Sequence, residues 1–167
     1  METESSTATT RIELTHTTWL AGAAGGFVGS LLFGLFLQYV IPAPMLEMAI
    51  PAMYGIEGPA LAAGWAIHQV HGVVLGLAYV GIVQFGPLRE RARRFPSALA
   101  VGVWYGVVTT VGLAVLVMPL WLSAVGFAAG PPFPNLGIPD TPMSILGHVL
   151  FAVPVAVAYA MTVEDTA

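Results

Sequence analysis

The stretch Ala60-Leu-Ala-Ala-Gly-Trp65-Ala-Ile-His68-Gln-Val-His71-Gly-Val-Val-Leu-Gly76-Leu-Ala-Tyr79-Val-Gly-Ile-Val-Gln84-Phe85 decides the fold class. It is apolar throughout and carries no formal charge. A hydrocarbon core about 30 Å thick takes roughly 20 such residues as a helix. No strand-type alternation is visible, and backbone polar groups in lipid must be bonded internally. A membrane-spanning helix is therefore predicted. Three further stretches read the same way, which places spans over 17–41, 60–85, 96–122 and 142–163. The prediction is an all-α integral membrane four-helix bundle over 17–163, with short tails at 1–16 and 164–167. The first span is too long for a signal-peptide core and follows an acidic lead, so it reads as retained.

Composition agrees. Of 167 residues, 57% are hydrophobic and 8% are charged, against about 25% charged in a soluble domain. Mean hydropathy is +0.83. These values exclude an ordinary soluble domain and a disordered chain. Net charge is -4, and there is no basic stripe, which excludes nucleic acid as a partner. The absence of Cys removes thiolate catalysis and Cys-based metal sites. The five basic residues are all Arg, and without Lys no P-loop is possible. Neither HExxH nor GxSxG occurs. No apolar segment holds two carboxylates for acid–base work. A non-enzymatic accessory or small transport-type component is the expectation.

Arg89, Arg91, Arg93 and Arg94 share the link between the second and third spans. The positive-inside rule places that link, and with it both termini, in the cytoplasm of a cell-membrane protein. Arg11 agrees with this. The link also suits contact with anionic headgroups, beside its plain role in setting topology. The two outer links, 42–59 and 123–141, are rich in Pro yet apolar. Such chain cannot continue a helix, so it is expected to lie at the interface or fold back over the bundle mouth.

The halves resemble each other. Gly29 and Pro42 are spaced as Gly106 and Pro119 are. Gly55-Ile56 and Gly137-Ile138 each precede a span. His68 leads to Ala78-Tyr79 as His148 leads to Ala158-Tyr159, with Gly72 and Gly76 matched by Ala152 and Ala156. These matches predict two tandem helical hairpins in a parallel pseudo-twofold repeat about the membrane normal. Small residues four apart, as at Gly22/Gly26, Gly25/Gly29, Ser30/Gly34, Gly72/Gly76 and Gly102/Gly106, permit close helix approach within the bundle, or between copies in a homo-oligomer or larger membrane complex.

Three histidines fall inside spans. His68 and His71 share a helix face, and His148 lies at similar depth in the outer half. Ionisable groups at such depth face an interior or a wet cavity, which makes them the candidate site. His68 and His148 suit axial ligation of haem b, making the chain a membrane electron carrier. His68, His71 and His148 also suit a divalent metal, with Glu57 or Asp140 adding oxygen. A proton or solute pathway is the third possibility. Against all three stands a plain role as neutral interhelical hydrogen-bonders. Gln38 and Gln84 sit near span ends, while Ser30, Thr109 and Thr110 are placed to bond their own helices.

Gly64-Trp65-Ala-Ile-His68-Gln-Val-His71-Gly72-Val-Val-Leu-Gly76, Met118-Pro119-Leu-Trp121 and the Pro-Pro-Phe-Pro-Asn135-Leu run carry a resemblance that covers nearly the whole chain. On these motifs it resembles a group of small uncharacterised four-span membrane proteins of halophilic archaea. The resemblance implies topology and habitat and transfers no catalytic residue. The histidine kinase label that some of them bear finds no ATP-binding motif here.

Overall fold

The computed structural model describes residues 16–41 and 44–164. The predicted tails, apart from His16 and the backbone of Glu164, lie outside the described residues, as do Arg11 and Pro42. Four helices are long and apolar enough to cross a membrane: His16–Tyr39, Leu61–Ile82, Phe95–Ala124 and Asp140–Val163. Among the described residues there is no strand. We label the helical elements α1 (His16–Tyr39), α2 (Ile50–Ala52), α3 (Leu61–Ile82), α4 (Leu88–Arg93), α5 (Phe95–Thr109), α6 (Met118–Ala124) and α7 (Asp140–Glu164). A π-helical stretch, Thr110–Val117, joins α5 to α6 within the third span, and another, Met45–Ala49, leads into α2. The 24 residues of α1 extend about 36 Å, enough to cross the hydrocarbon core. Outward-facing side chains such as Leu20, Val70 and Val74 are apolar and exposed, which suits lipid rather than water.

In lateral order the long helices run α3, α1, α7, α5. The first and last spans thus form the central pair. Glycine permits this. A side chain at Gly26 would run into the carbonyl oxygen of Gly72, and the Cβ would lie 3.1 Å from Gly76 Cα. At the adjacent residue, about 100° around the helix, a Cβ at Gly25 would lie 2.8 Å from Val155 Cα of α7. α1 is therefore a wedge with two bare faces, one per neighbour. On the far side of α7, a Cβ at Gly102 would meet Ala156 Cβ at 2.9 Å, and one at Gly106 would meet Val149 Cα at 2.8 Å. With little hydrophobic drive between helices in lipid, such backbone approach supplies the dispersion contact. The small-residue pairs of α1, α3 and α5 are thus occupied within the chain.

Proline shapes the links between the first and second spans and between the third and fourth. Pro51 has no N–H to close an α-turn onto Glu47 O, and that carbonyl instead accepts the Ala60 N–H at 2.9 Å. Pro119 likewise offers nothing to Val115 O, which accepts the Asn135 N–H at 3.1 Å. Each of these two links is anchored to a carbonyl that a proline released. Leu46, Ala49, Ile50 and Pro51 are buried as a result, and Gly64 is bare where Leu46 O approaches. The links fold back over the bundle, and Trp121 Nε1 of α6 ties the first of them to the third span by donating to Met53 O at 2.8 Å. Pro119→Ala should restore a competing helical donor and loosen the second link. The expected result is faster limited proteolysis within 126–139, with the melting temperature little changed. Unaltered cleavage would contradict the anchoring.

Ser30, Thr109 and Thr110 do bond back to their own helices, through Phe27 O, Tyr105 O and Gly106 O respectively. Gln84 bonds its own Val80 O, as expected of a span-end amide, but also donates to Tyr159 OH at 3.1 Å. Gln38 differs from local bonding. Its Oε1 accepts the Trp65 indole N–H at 2.7 Å, tying α1 to α3.

Candidate functional site

The three histidines inside the spans come from two elements. His68 and His71 project from α3, and His148 from α7. Phe33 of α1 packs on both His68 and His148, with ring centroids 5.5 and 4.8 Å apart. Gly147 lacks a side chain where the Phe33 ring approaches. The volume beside the two imidazoles is thus filled by an aromatic ring.

Each imidazole has a partner. His68 Nε2 lies 3.0 Å from Ser30 O, and only an N–H can donate to a carbonyl, so Nε2 carries the proton. His148 shows the opposite tautomer, with Nδ1 donating to Ser144 O at 2.8 Å one helical turn earlier. His71 Nε2 and the Tyr54 hydroxyl share a 2.5 Å hydrogen bond. Tyr54 also packs against Trp121, with centroids 5.7 Å apart. His68 therefore ties α3 to α1, His71 ties α3 to the link before it, and His148 bonds within its own helix.

Among the described residues, no group of three or more His, Asp or Glu is placed to hold a metal ion. His68 and His148 meet at Phe33, while His71 points to Tyr54. Glu57 lines an open depression of about 240 Å³ between the two links, with Gly55, Gly58 and Phe127. Gly55 and Gly58 have φ of 73° and 71°, a left-handed backbone that glycine adopts without steric cost. Asp140 opens α7.

A second polar layer lies three helical turns toward the Arg-rich link. Tyr79, Tyr105 and Tyr159 are buried together, with Tyr79 5.2 Å from Tyr105 and 5.9 Å from Tyr159 between ring centroids. Tyr105 OH donates to Leu75 O at 2.8 Å. Tyr79 OH is buried without a hydrogen-bond partner. Sequence reasoning used Tyr79 and Tyr159 only as repeat markers and passed over Tyr105. Their place inside predicted apolar spans was the available signal, because a hydroxyl there is costly on a lipid-facing side.

Tyr54→Phe should cut the link's tie to His71. The expected outcome is faster backbone hydrogen exchange at 53–58, with the exchange of α1 and α7 unchanged. Equal exchange in both proteins would show that the bond does not hold the link.

The fold and these interior layers define a multi-pass helical membrane protein. Comparisons of the chain with protein-family models, with curated proteins and with solved structures find no match.

Proposed function

We propose that the protein is a non-enzymatic component of the cell membrane, an accessory module whose intramembrane histidines are structural hydrogen-bonders in the outer half of the bundle. One observation carries this reading: His68, His71 and His148 each commit a ring nitrogen to a protein partner. The His68 bond is the one that joins two spans, and bonds between spans contribute roughly 0.6 to 2 kcal/mol each. The arginine distribution supports a cytoplasmic position for the 86–94 link and both termini. The repeat draws support from two pairs of matched residues: His68 and His148 both pack on Phe33, and Tyr79 packs on Tyr159. The glycines depart from it, since Gly29 and Gly106 both lie against α7, where a twofold would put one of them against α3.

Haem binding by His68 and His148 is the second reading. The His148 tautomer favours it, because Nδ1–H bonded to a carbonyl leaves Nε2 free for a metal. His68 opposes it, with Nε2 already committed to Ser30 O, and so does the Phe33 ring.

Absorption spectra, oxidised and dithionite-reduced, of protein expressed with haem available distinguish the two. No Soret band is expected. In proteoliposomes loaded with a pH dye, proton flux is expected to match protein-free vesicles. A Soret band lost in His148→Ala would replace the accessory reading with an electron carrier. Flux above background that falls in His68→Gln would replace it with a transport function.

A further inference from the structure

The side of the bundle that carries the arginines has a built groove. It encloses about 440 Å³ and is lined by Leu88, Arg91, Ser97, Ala100, Val101 and Trp104. α4 forms one wall, turning Ala92 into the protein while Arg91 stays exposed. α5 forms the other. The corner between them is fixed by Ser97, whose hydroxyl donates to Arg91 O at 2.6 Å and Arg94 O at 3.0 Å. Ser97 and Trp104 are seven residues apart, so the α5 wall extends about 10 Å along the helix axis. Its polar end lies at the arginines, and its apolar end lies inside the third span.

Charge and polarity select the occupant. Arg89, Arg91, Arg93 and Arg94 face one carboxylate in their own segment, Glu90, and none of the four makes an ion pair among the described residues. Arg89 Nε is buried without a hydrogen-bond partner. A free anion would satisfy a guanidinium but leave the Ala100–Val101–Trp104 wall uncovered. A water-soluble acidic peptide would have to enter the hydrocarbon to cover it. An anionic phospholipid does both, with its phosphate at Arg91 and the start of a chain along the α5 wall. A guanidinium takes a phosphate bidentately, and the indole suits the headgroup boundary. We propose that this groove is a binding site for one anionic phospholipid. The proposal is independent of the role given to the histidines.

The test uses the full chain in phosphatidylcholine vesicles that contain either dibrominated phosphatidylglycerol or dibrominated phosphatidylcholine. Bromine quenches nearby tryptophan, and the difference from Trp104→Phe isolates the Trp104 signal. Quenching is expected at about fivefold lower mole fraction of the anionic lipid, the preference expected from one interfacial arginine. Arg91→Gln, at an exposed position, should fold normally and lose the preference. Ala100→Phe should fill the groove and reduce quenching by both lipids. Equal quenching by the two lipids in the unsubstituted protein would overturn the proposal. So would a preference that survives Arg91→Gln. Loss of the preference on adding inorganic phosphate, at constant ionic strength against chloride, would assign the site to a free anion instead.

Discussion

Gly26→Leu is expected to destabilise the bundle by about 3 kcal/mol or more, the upper end for overpacking. The reason is the identity of the opposing atoms. Flexible side chains can rotate away from a new methyl, but at Gly26 the neighbours are the Gly72 carbonyl and Gly76 Cα. Accommodation would require α1 and α3 to separate along their length, which would also pull Trp65 from Gln38 and His68 from Ser30. Gly81→Ala is the matched control, since a Cβ there meets nothing within 4 Å. It should stay within about 1 kcal/mol of the native protein and can gain from helix propensity. Reversible unfolding in mixed micelles measures both. Native-like stability of Gly26→Leu would mean that the helices do not approach as described.

Tyr79→Phe is expected to act in the opposite direction. An unsatisfied buried hydroxyl costs about 1 to 3 kcal/mol, and the substitution removes the hydroxyl while keeping the ring against Tyr105 and Tyr159. The protein should become more stable by an amount in that range. Tyr105→Phe, which loses the bond to Leu75 O, should cost about 1 kcal/mol. The pair is informative because the two changes delete the same atom from neighbouring rings. A loss of stability in Tyr79→Phe would reveal a partner for that hydroxyl, such as a bound water.

The spans were legible because length and apolarity are summed over many residues. The predicted 60–85 became Leu61–Ile82, and 96–122 became Phe95–Ala124, with ends shifted by a few residues. The links were less legible. Their proline content signalled irregular chain, but not that the prolines would leave Glu47 O and Val115 O open for Ala60 and Asn135. Those bonds join residues that no local pattern connects. At the histidines, spacing placed His68 and His71 on one helix face, yet one turns to α1 and the other to Tyr54. Phe33 could not be singled out, because an apolar residue in an apolar span carries no mark of which neighbour it meets.

The central pairing of α1 with α7 also has a consequence for how the chain is assembled. Of these four spans, the one made earliest cannot meet α7 until the one made latest has entered the bilayer. During that interval the first hairpin can close through Gly22 and Gly26 on α3, while the Gly25 and Gly29 face stays against lipid. The late arrival of α7 then covers that face and brings Phe151, Val155 and Tyr159 into the interior together. Biogenesis thus has a vulnerable stage, in which three inserted spans still display a bare helix surface to whatever else occupies the membrane.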